Sequence, residues 1–464
     1  MLPRDSAQYR TVSSMSAPVL TDGRRSQRKV AGQLLLAGLV MTLAACTLFQ
    51  KEPGVHLIVE ARLSEPLSAS LKQFQEDLGA AGFVVSVDNS LDASASPATI
   101  RAKLQERWSA SGNLDGAILI GEFAAPLYNV PGNQGDYYWH DHLADLYYMD
   151  VDGYWIDADG NGVFDDHRPV DGTGTLSKAL SWLVKHVPLG LDSRGPEFWV
   201  SRLRAGTLAP LGDELTLYRD YFARNHAYRT ADGSTLSKRA FVLGGGSYFT
   251  TSGWGARPAR LYTDVAVTEC TPDASDTLRK YLADPKGWSL GVVGSFSGPQ
   301  VHKFDNLEGK GFNQRWFSTA EGRRLIAEWS LLEHKPHDVA SPEIARLKPN
   351  VLFYQILSSE TGRHDVPGYL GGAYLFFGSG LAAIAGTQHS GAMGVPILYD
   401  RLEAGDSIGD AWRHAMQWSL DNPGLTLTLK WCKEEEPWDP SVDPYKAVLL
   451  GDGTLHLPSE PASR

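Results

Sequence analysis

Cysteine, clustered basic residues and long apolar runs are all scarce in this chain of 464 residues. Its three cysteines are too few for a disulfide-framed small domain or a cysteine-rich zinc module. The formal charge is −11 without a long basic block, which disfavours nucleic acid as a partner because phosphate contacts need clustered Lys and Arg. The sequence also lacks a Gly-x-Ser-x-Gly elbow, a His-Glu-x-x-His pair and a P-loop lysine motif, which are common hydrolase and nucleotide-binding signatures.

The main apolar run lies near the start of the chain, at residues 30–45, directly after a basic cluster at residues 24–29. Its 16 residues are fewer than the roughly 20 that span a membrane, and this order of segments is typical of a secretory signal peptide. The run ends in Leu-Ala-Ala-Cys46, which resembles the lipobox of bacterial lipoproteins, whose cysteine carries lipid. An ordinary signal peptide with a chance cysteine is the alternative.

The lipobox predicts that residues 1–45 are removed and that Cys46 anchors the remaining chain to the bacterial cell envelope. The mature chain then has 37 basic and 52 acidic residues, a net charge of −15. Thr47 rather than Asp follows the cysteine, which resembles an outer-membrane sorting signal if the source is Gram-negative. We therefore expect an exported α/β protein that is held at a membrane by its N-terminal lipid.

Short apolar strands alternate with helical periods along the mature chain, and this order predicts a parallel sheet with crossover helices. The predicted strands are His56–Glu60, Phe83–Val87, Gly116–Gly121, Glu197–Val200, Ala240–Gly244, Arg260–Val267, Ser289–Val293, Asn350–Leu357, Gly380–Gly386 and Ala447–Leu450. The predicted helices are Leu67–Leu78, Pro97–Trp108, Asp213–Tyr228, Ser275–Leu282, Thr319–Glu333 and Ser407–Leu420. A polar stretch at residues 230–238 indicates two α/β sub-domains, 46–239 and 240–464, the first with an Asp-rich insertion between residues 129 and 175.

The insertion contains a candidate calcium loop. The residues with side-chain oxygens at its positions 1, 3, 5 and 9 are Asp157, Asp159, Asn161 and Asp165. With Gly162 at position 6 they match an EF-hand-type loop, but position 12 is Arg168 where a bidentate Glu is expected. Asp150, Asp152 or Asp166 could supply the missing oxygens. A solvated acidic turn is the alternative for this loop.

A second metal hypothesis rests on His140 and His142, two residues apart, against the alternative of ordinary hydrogen-bonded histidines.

Several ordered segments resemble the gingipain-type cysteine peptidases, the C25 family with a caspase-like fold. These segments are residues 115–121, 146–150, the Asp-rich loop, 196–203, 369–376, 380–387, 405–411 and 450–455, and the similarity spans roughly residues 55–458. The resemblance implies a bipartite, mostly parallel sheet with helices on both faces. It also implies bound calcium and a catalytic His and Cys at adjacent strand ends in the second half.

The chain departs from this family at the catalytic positions. Phe296 stands where the family has its histidine, and Ser359 stands where it has its cysteine. Because a serine hydroxyl needs a positioned base, a hydrolase alternative requires His302 or His364 to serve Ser359.

The other two cysteines do not restore a thiol at the expected turn. Cys270 follows a predicted strand and Cys432 lies near the end of the chain. In an exported protein a disulfide between them is the simpler interpretation.

Three functions follow from these observations. The leading hypothesis is a lipid-anchored envelope protein with a gingipain-like fold that is catalytically inactive and binds or scaffolds a peptide or protein partner. The competing hypothesis is an active hydrolase that uses Ser359 or a rearranged site. The third is a calcium-dependent adhesion or carbohydrate-binding protein.

Overall fold

The fold is known from a computed structural model that describes only part of the chain. The described residues are 52–129, 141–168, 195–233, 235–245, 257–271, 273–304, 338–388, 395–423, 425, 427–430, 435–438 and 440–458. Cys46, Cys432, His140 and the helix predicted over Thr319–Glu333 lie outside the described residues. The lipid anchor, the disulfide and the histidine metal pair therefore stay predictions.

The strands of the described residues are short and lie close to the predicted apolar runs. In chain order they are β1 (Gly54–Val59), β2 (Val84–Asp88), β3 (Leu114–Ile120), β4 (Leu127–Tyr128), β5 (His142–Leu143), β6 (Tyr154–Ile156), β7 (Val163–Phe164), β8 (Asp166–Arg168), β9 (Trp199–Leu203), β10 (Arg239–Gly245), β11 (Asp264–Thr271), β12 (Trp288–Gly294), β13 (Phe296–Gly298), β14 (Val301–Lys303), β15 (Asp338–Ala340), β16 (Val351–Ile356), β17 (Ala382–Gly386), β18 (Leu427–Lys430), β19 (Glu435–Trp438) and β20 (Ala447–Gly451).

The helices of the described residues connect these strands. They are α1 (Ala61–Ser64), α2 (Ser68–Ala80), α3 (Pro97–Ser111), α4 (Leu146–Met149), α5 (Glu214–Thr230), α6 (Ala274–Leu282), α7 (Ser341–Leu347), α8 (Leu370–Phe376), α9 (Pro396–Glu403) and α10 (Ile408–Asp421). Three begin at a side-chain cap, because Ser96, Asp213 and Ser407 accept hydrogen bonds from the backbone N–H groups three residues later.

Ten of the described strands form one sheet in the order β11-β10-β12-β16-β17-β20-β9-β3-β1-β2. The strands β2, β1, β3 and β9 pair in parallel, as do β11, β10, β12, β16 and β17. β20 pairs antiparallel with β17 and also pairs with β9, so it joins the two groups. The mostly parallel α/β sheet predicted from the sequence is confirmed. The predicted boundary at 239/240 falls at the start of β10 and stays a prediction.

The central strands are buried along their whole length, as expected for a parallel sheet covered on both faces. Trp199 at the start of β9 fills the space left by three glycines. A Cβ atom at Gly116, Gly409 or Gly453 would lie 2.0, 2.5 or 2.7 Å from its ring. These glycines therefore allow β3, α10 and the turn after β20 to close around one large aromatic side chain.

The described part of the Asp-rich insertion contains β5 to β8 and α4. It is fixed to the sheet by a buried ion pair, in which Arg202 of β9 donates to both carboxylate oxygens of Asp145 at 2.7 Å. The guanidinium also donates to the carbonyl of Phe123. The insertion therefore folds back over the segment that follows β3.

Candidate functional site

Two serines meet where the neighbouring strands β12 and β16 end. These strands are parallel, and Val293 pairs with Ile356. Ser295 and Ser358 each follow two residues later, so they lie side by side. The backbone N–H of Ser295 donates to the Ser358 Oγ at 3.0 Å, and the two hydroxyl oxygens are 3.2 Å apart.

His302 reaches the same place through a hairpin. β13 and β14 pair antiparallel, with Ser297 opposite His302, so the chain returns towards the end of β12. The Nδ1 atom of His302 lies 2.7 Å from the Ser295 Oγ. The three side chains form a hydrogen-bonded series, Ser358–Ser295–His302, in which each residue is 0% exposed. We call this series the Ser–His cluster.

Ser359, the serine that the sequence places at the family's cysteine position, lies beside the cluster. Its carbonyl accepts a hydrogen bond from the Ser297 Oγ at 2.6 Å. Within the described residues, no hydrogen bond joins the Ser359 hydroxyl to a histidine. The structure thus brings His302 to Ser295 and Ser358, and the pairing of Ser359 with His302 stays a prediction. For Phe296 it describes only the backbone, which pairs with Lys303.

The electrostatics of the cluster disfavour a general base. Burial lowers the pKa of His302 to about 3, so its imidazole is neutral at physiological pH. Burial, together with Arg202, Arg204 and Arg363, also lowers the pKa of His364 well below its usual value. A general base works best with a pKa near the working pH, and a nucleophile must meet its substrate. In this arrangement the Ser–His cluster is a buried polar contact between strand ends.

The predicted calcium loop forms a tight turn between β6 and β7. Carboxylate oxygens of Asp157, Asp159 and Asp165 lie within 4.8 Å of one another. Asp157 accepts backbone N–H groups from Gly160 and Gly162 at 2.8 Å, which turns its carboxylate into the loop. These three carboxylates therefore lie close together, whereas the metal site with Asn161 and calcium itself stay predictions.

A second acidic cluster lies nearby and joins Asp150, Asp152 and Glu197, whose carboxylate oxygens also fall within 4.8 Å. Glu197 accepts the backbone N–H of Val151 at 2.7 Å, and His167 lies 2.7 Å from the buried carboxylate of Asp150. Burial and the charges of Asp150 and Asp152 raise the pKa of Glu197 to about 9. The Asp-rich pattern predicts Asp150 and Asp152 as additional ligands but gives no signal for Glu197, which lies 46 residues after Val151 and just before β9.

Two other predicted residues have clear positions. Cys270 lies in the edge strand β11, and its disulfide with Cys432 stays a prediction. His142 is buried in β5.

A search of the described residues finds no helix with the length and apolar character needed to cross a membrane.

No protein-family profile and no curated protein matches this chain. Among solved structures, the crystal structure of the Arg-specific cysteine proteinase gingipain R is similar, with a TM-score of 0.52 and 12% sequence identity. The similarity covers 88% of this chain and 79% of that one. At this identity the likeness concerns the fold alone. The comparison confirms that the chain has the caspase/gingipain-like α/β fold that its ordered motifs predict.

Proposed function

We propose that this protein is an exported, lipid-anchored envelope protein that uses a gingipain-like fold to bind or scaffold a peptide or protein partner without cleaving it. One observation carries the proposal. The Ser–His cluster lies beside the expected dyad positions Phe296 and Ser359 and is fully buried, and its hydroxyl groups are engaged with one another and with His302.

The reactive groups also favour binding over cleavage. A serine hydroxyl needs a base to become a nucleophile, and a histidine whose pKa is lowered to about 3 holds a transferred proton weakly at neutral pH. Ser359 is 7% exposed and Ser358 is 0% exposed, so a peptide carbonyl reaches neither without movement of the loop after β16.

The second candidate function is a hydrolase. It is favoured by the short contacts between Ser358, Ser295 and His302, which resemble a nucleophile linked to a base through a second hydroxyl. It requires a conformational change that exposes Ser358 or Ser359.

Activity measurements distinguish the two functions. The purified full-length chain is incubated with a broad peptide library and with a serine-reactive phosphonate probe. We expect neither turnover nor labelling. Turnover that is lost in Ser358→Ala or Ser359→Ala but kept in Ser68→Ala, a control at an exposed serine, would establish the hydrolase.

The envelope location is proposed from the lipobox at Cys46 and is tested by metabolic labelling with a radioactive fatty acid. We expect label in the wild-type protein and none in Cys46→Ser. Equal labelling of both proteins, or of neither, would contradict the anchor.

Calcium is proposed as a structural ion of the Asp157–Asp165 loop. Its support is the convergence of three carboxylates, which repel one another unless a cation balances them. Calcium-dependent adhesion or carbohydrate binding is a further proposal that depends on this ion.

A further inference from the structure

The strand β2 forms one end of the ten-stranded sheet and, among the described strands, pairs only with β1. Its sequence is Val-Val-Ser-Val-Asp. Val84 and Val87 are 38% and 41% exposed, and they are two of the four large apolar side chains that are exposed within the described residues. Exposed apolar side chains on a strand with an open edge indicate a surface that pairs with another strand.

The outer edge of β2 presents backbone groups that can extend the sheet. The Val84 N–H donates to the Pro53 carbonyl at 2.8 Å, towards β1. The N–H and C=O groups of successive residues in a strand point to opposite sides, so those of Val85 and Val87 point away from β1. Within the part of the chain that the structure describes, no other group forms a hydrogen bond with them. These donors and acceptors are therefore available to a neighbouring strand.

The opposite end of the sheet differs from β2 in the features by which natural proteins prevent strand pairing, which include charges and bulges. The edge strand β11 begins at Asp264, contains Glu269 and pairs with β10 through a register that shifts between Gly244 and Gly245. β2 pairs with β1 in a regular register, and its single charged residue, Asp88, lies at its end. The open edge of β2 therefore lacks these protective features.

The sequence of β2 is complementary to itself in the antiparallel direction. When two copies pair about a two-fold axis at Ser86, Val85 of each copy lies opposite Val87 of the other, and the outward backbone groups of each such pair exchange both of their hydrogen bonds. These valines then share one face of the joined sheet, where opposed β-branched side chains stabilise the pairing. Asp88 lies opposite Val84, so no like charges are directly opposed.

We infer that β2 is a dimer interface, at which a second copy of this chain adds its own β2 antiparallel and forms one continuous sheet through both copies. A second copy is favoured over an unrelated peptide because the strand's own sequence satisfies the outward backbone groups and sets apolar side chains against apolar ones. A two-fold contact of this kind uses both open edges, so the assembly closes at two copies. The inference does not depend on the lipid anchor or on the state of the Ser–His cluster.

The test is sedimentation velocity of the purified full-length protein over a range of concentrations. Every protein compared carries Cys46→Ser, so that attached lipid does not drive association. We expect a reversible dimer, and Val87→Lys should weaken it by about tenfold or more because the two new like charges lie diagonally across the interface. The matched control is Val267→Lys in the other edge strand, β11, where the valine is 46% exposed. This control should retain the dimer.

Cross-linking tests the register of the two strands. Ser86→Cys places two thiols opposite each other in a non-hydrogen-bonded pair, whose Cα atoms lie about 4.5 Å apart, within the range for a disulfide. Oxidation should link two copies through this residue, as identified by mass spectrometry, whereas Ser90→Cys, at an exposed serine beyond the strand, should not. A parent protein that stays monomeric at every concentration, a dimer that Val87→Lys leaves unchanged, or equal cross-linking at the two positions would overturn the inference.

Discussion

The Nδ1 atom of His302 lies 2.7 Å from the Oγ atom of Ser295, and both residues are buried. The hydrogen bond connects the hairpin strand β14 to the end of β12. It places the histidine next to Ser358 although 56 residues separate the two along the chain. The contact therefore stabilises the strand ends where a catalytic dyad would be expected.

Acid should destabilise the protein through His302. Its pKa of about 3 in the folded state is below the ordinary 6.5, so the unfolded chain binds more protons between these values. The stabilising contribution is complete above pH 6.5 and is lost as the pH falls towards 3. Denaturant unfolding at several pH values gives the dependence of the free energy of unfolding on pH between 3 and 6.5. His302→Gln should reduce this dependence by about one proton, which is about 1.4 kcal/mol per pH unit.

His456→Gln is the control for this measurement because that histidine is exposed. If His302→Gln keeps the fold and the free energy of unfolding still depends on acid pH as in the wild type, the buried neutral state of His302 is contradicted.

Alkali should destabilise the cation-free protein through Glu197. Its pKa of about 9 in the folded state exceeds the ordinary 4.5, so the folded chain binds more protons between these values. The contribution of Glu197 to the free energy of unfolding is complete below pH 4.5 and is lost as the pH rises towards 9. In a chelating buffer at pH 8, Glu197→Gln should raise the free energy of unfolding by about 1–3 kcal/mol, and the exposed control Glu76→Gln should not. A destabilised Glu197→Gln would show that the charge of Glu197 is compensated.

Calcium should raise the melting temperature if it binds the Asp157 loop, because a ligand that binds only the folded state stabilises it. At 100 times the dissociation constant the gain is about 2.7 kcal/mol. Asp157→Asn combined with Asp159→Asn should remove the shift, whereas Asp152→Asn should not. A shift lost only in Asp152→Asn would assign the ion to the cluster of Asp150, Asp152 and Glu197.

Gly116→Ala should destabilise the fold, because its new Cβ would lie 2.0 Å from the ring of Trp199. We expect a loss of about 1–3 kcal/mol in chemical denaturation, as for other overpacked cores. Gly79→Ala, in α2 with no atom within 4 Å of the new Cβ, should instead be neutral or stabilising by up to about 1 kcal/mol. Equal effects at both sites would contradict the packing around Trp199.

The sequence predicts the sheet well because strand and helix periods are local properties. The helices capped by Ser96, Asp213 and Ser407 have local start signals, and each begins within a residue of its predicted start. The ordered motifs also predict the gingipain-like fold, which depends on many segments in sequence order.

The site is harder to predict because its contacts join distant segments. The resemblance to the peptidase family favours Ser359, but the parallel pairing of Val293 with Ile356 brings Ser358 to Ser295. The ion pair of Arg62 with Glu214 likewise joins two residues that are 152 positions apart in the sequence and meet only after the sheet forms. No local pattern contains these pairs.

The catalytic silence of this site is tested most sharply by labelling the purified full-length protein with the serine-reactive phosphonate probe, followed by mass spectrometry of the peptide that contains Ser358 and Ser359. We expect this peptide to remain unmodified in the folded protein, because both serines are buried and the lowered pKa of His302, about 3, makes it too weak a base to activate either hydroxyl. Stoichiometric modification of Ser358 or Ser359 that His302→Gln abolishes would contradict it and establish an active hydrolase.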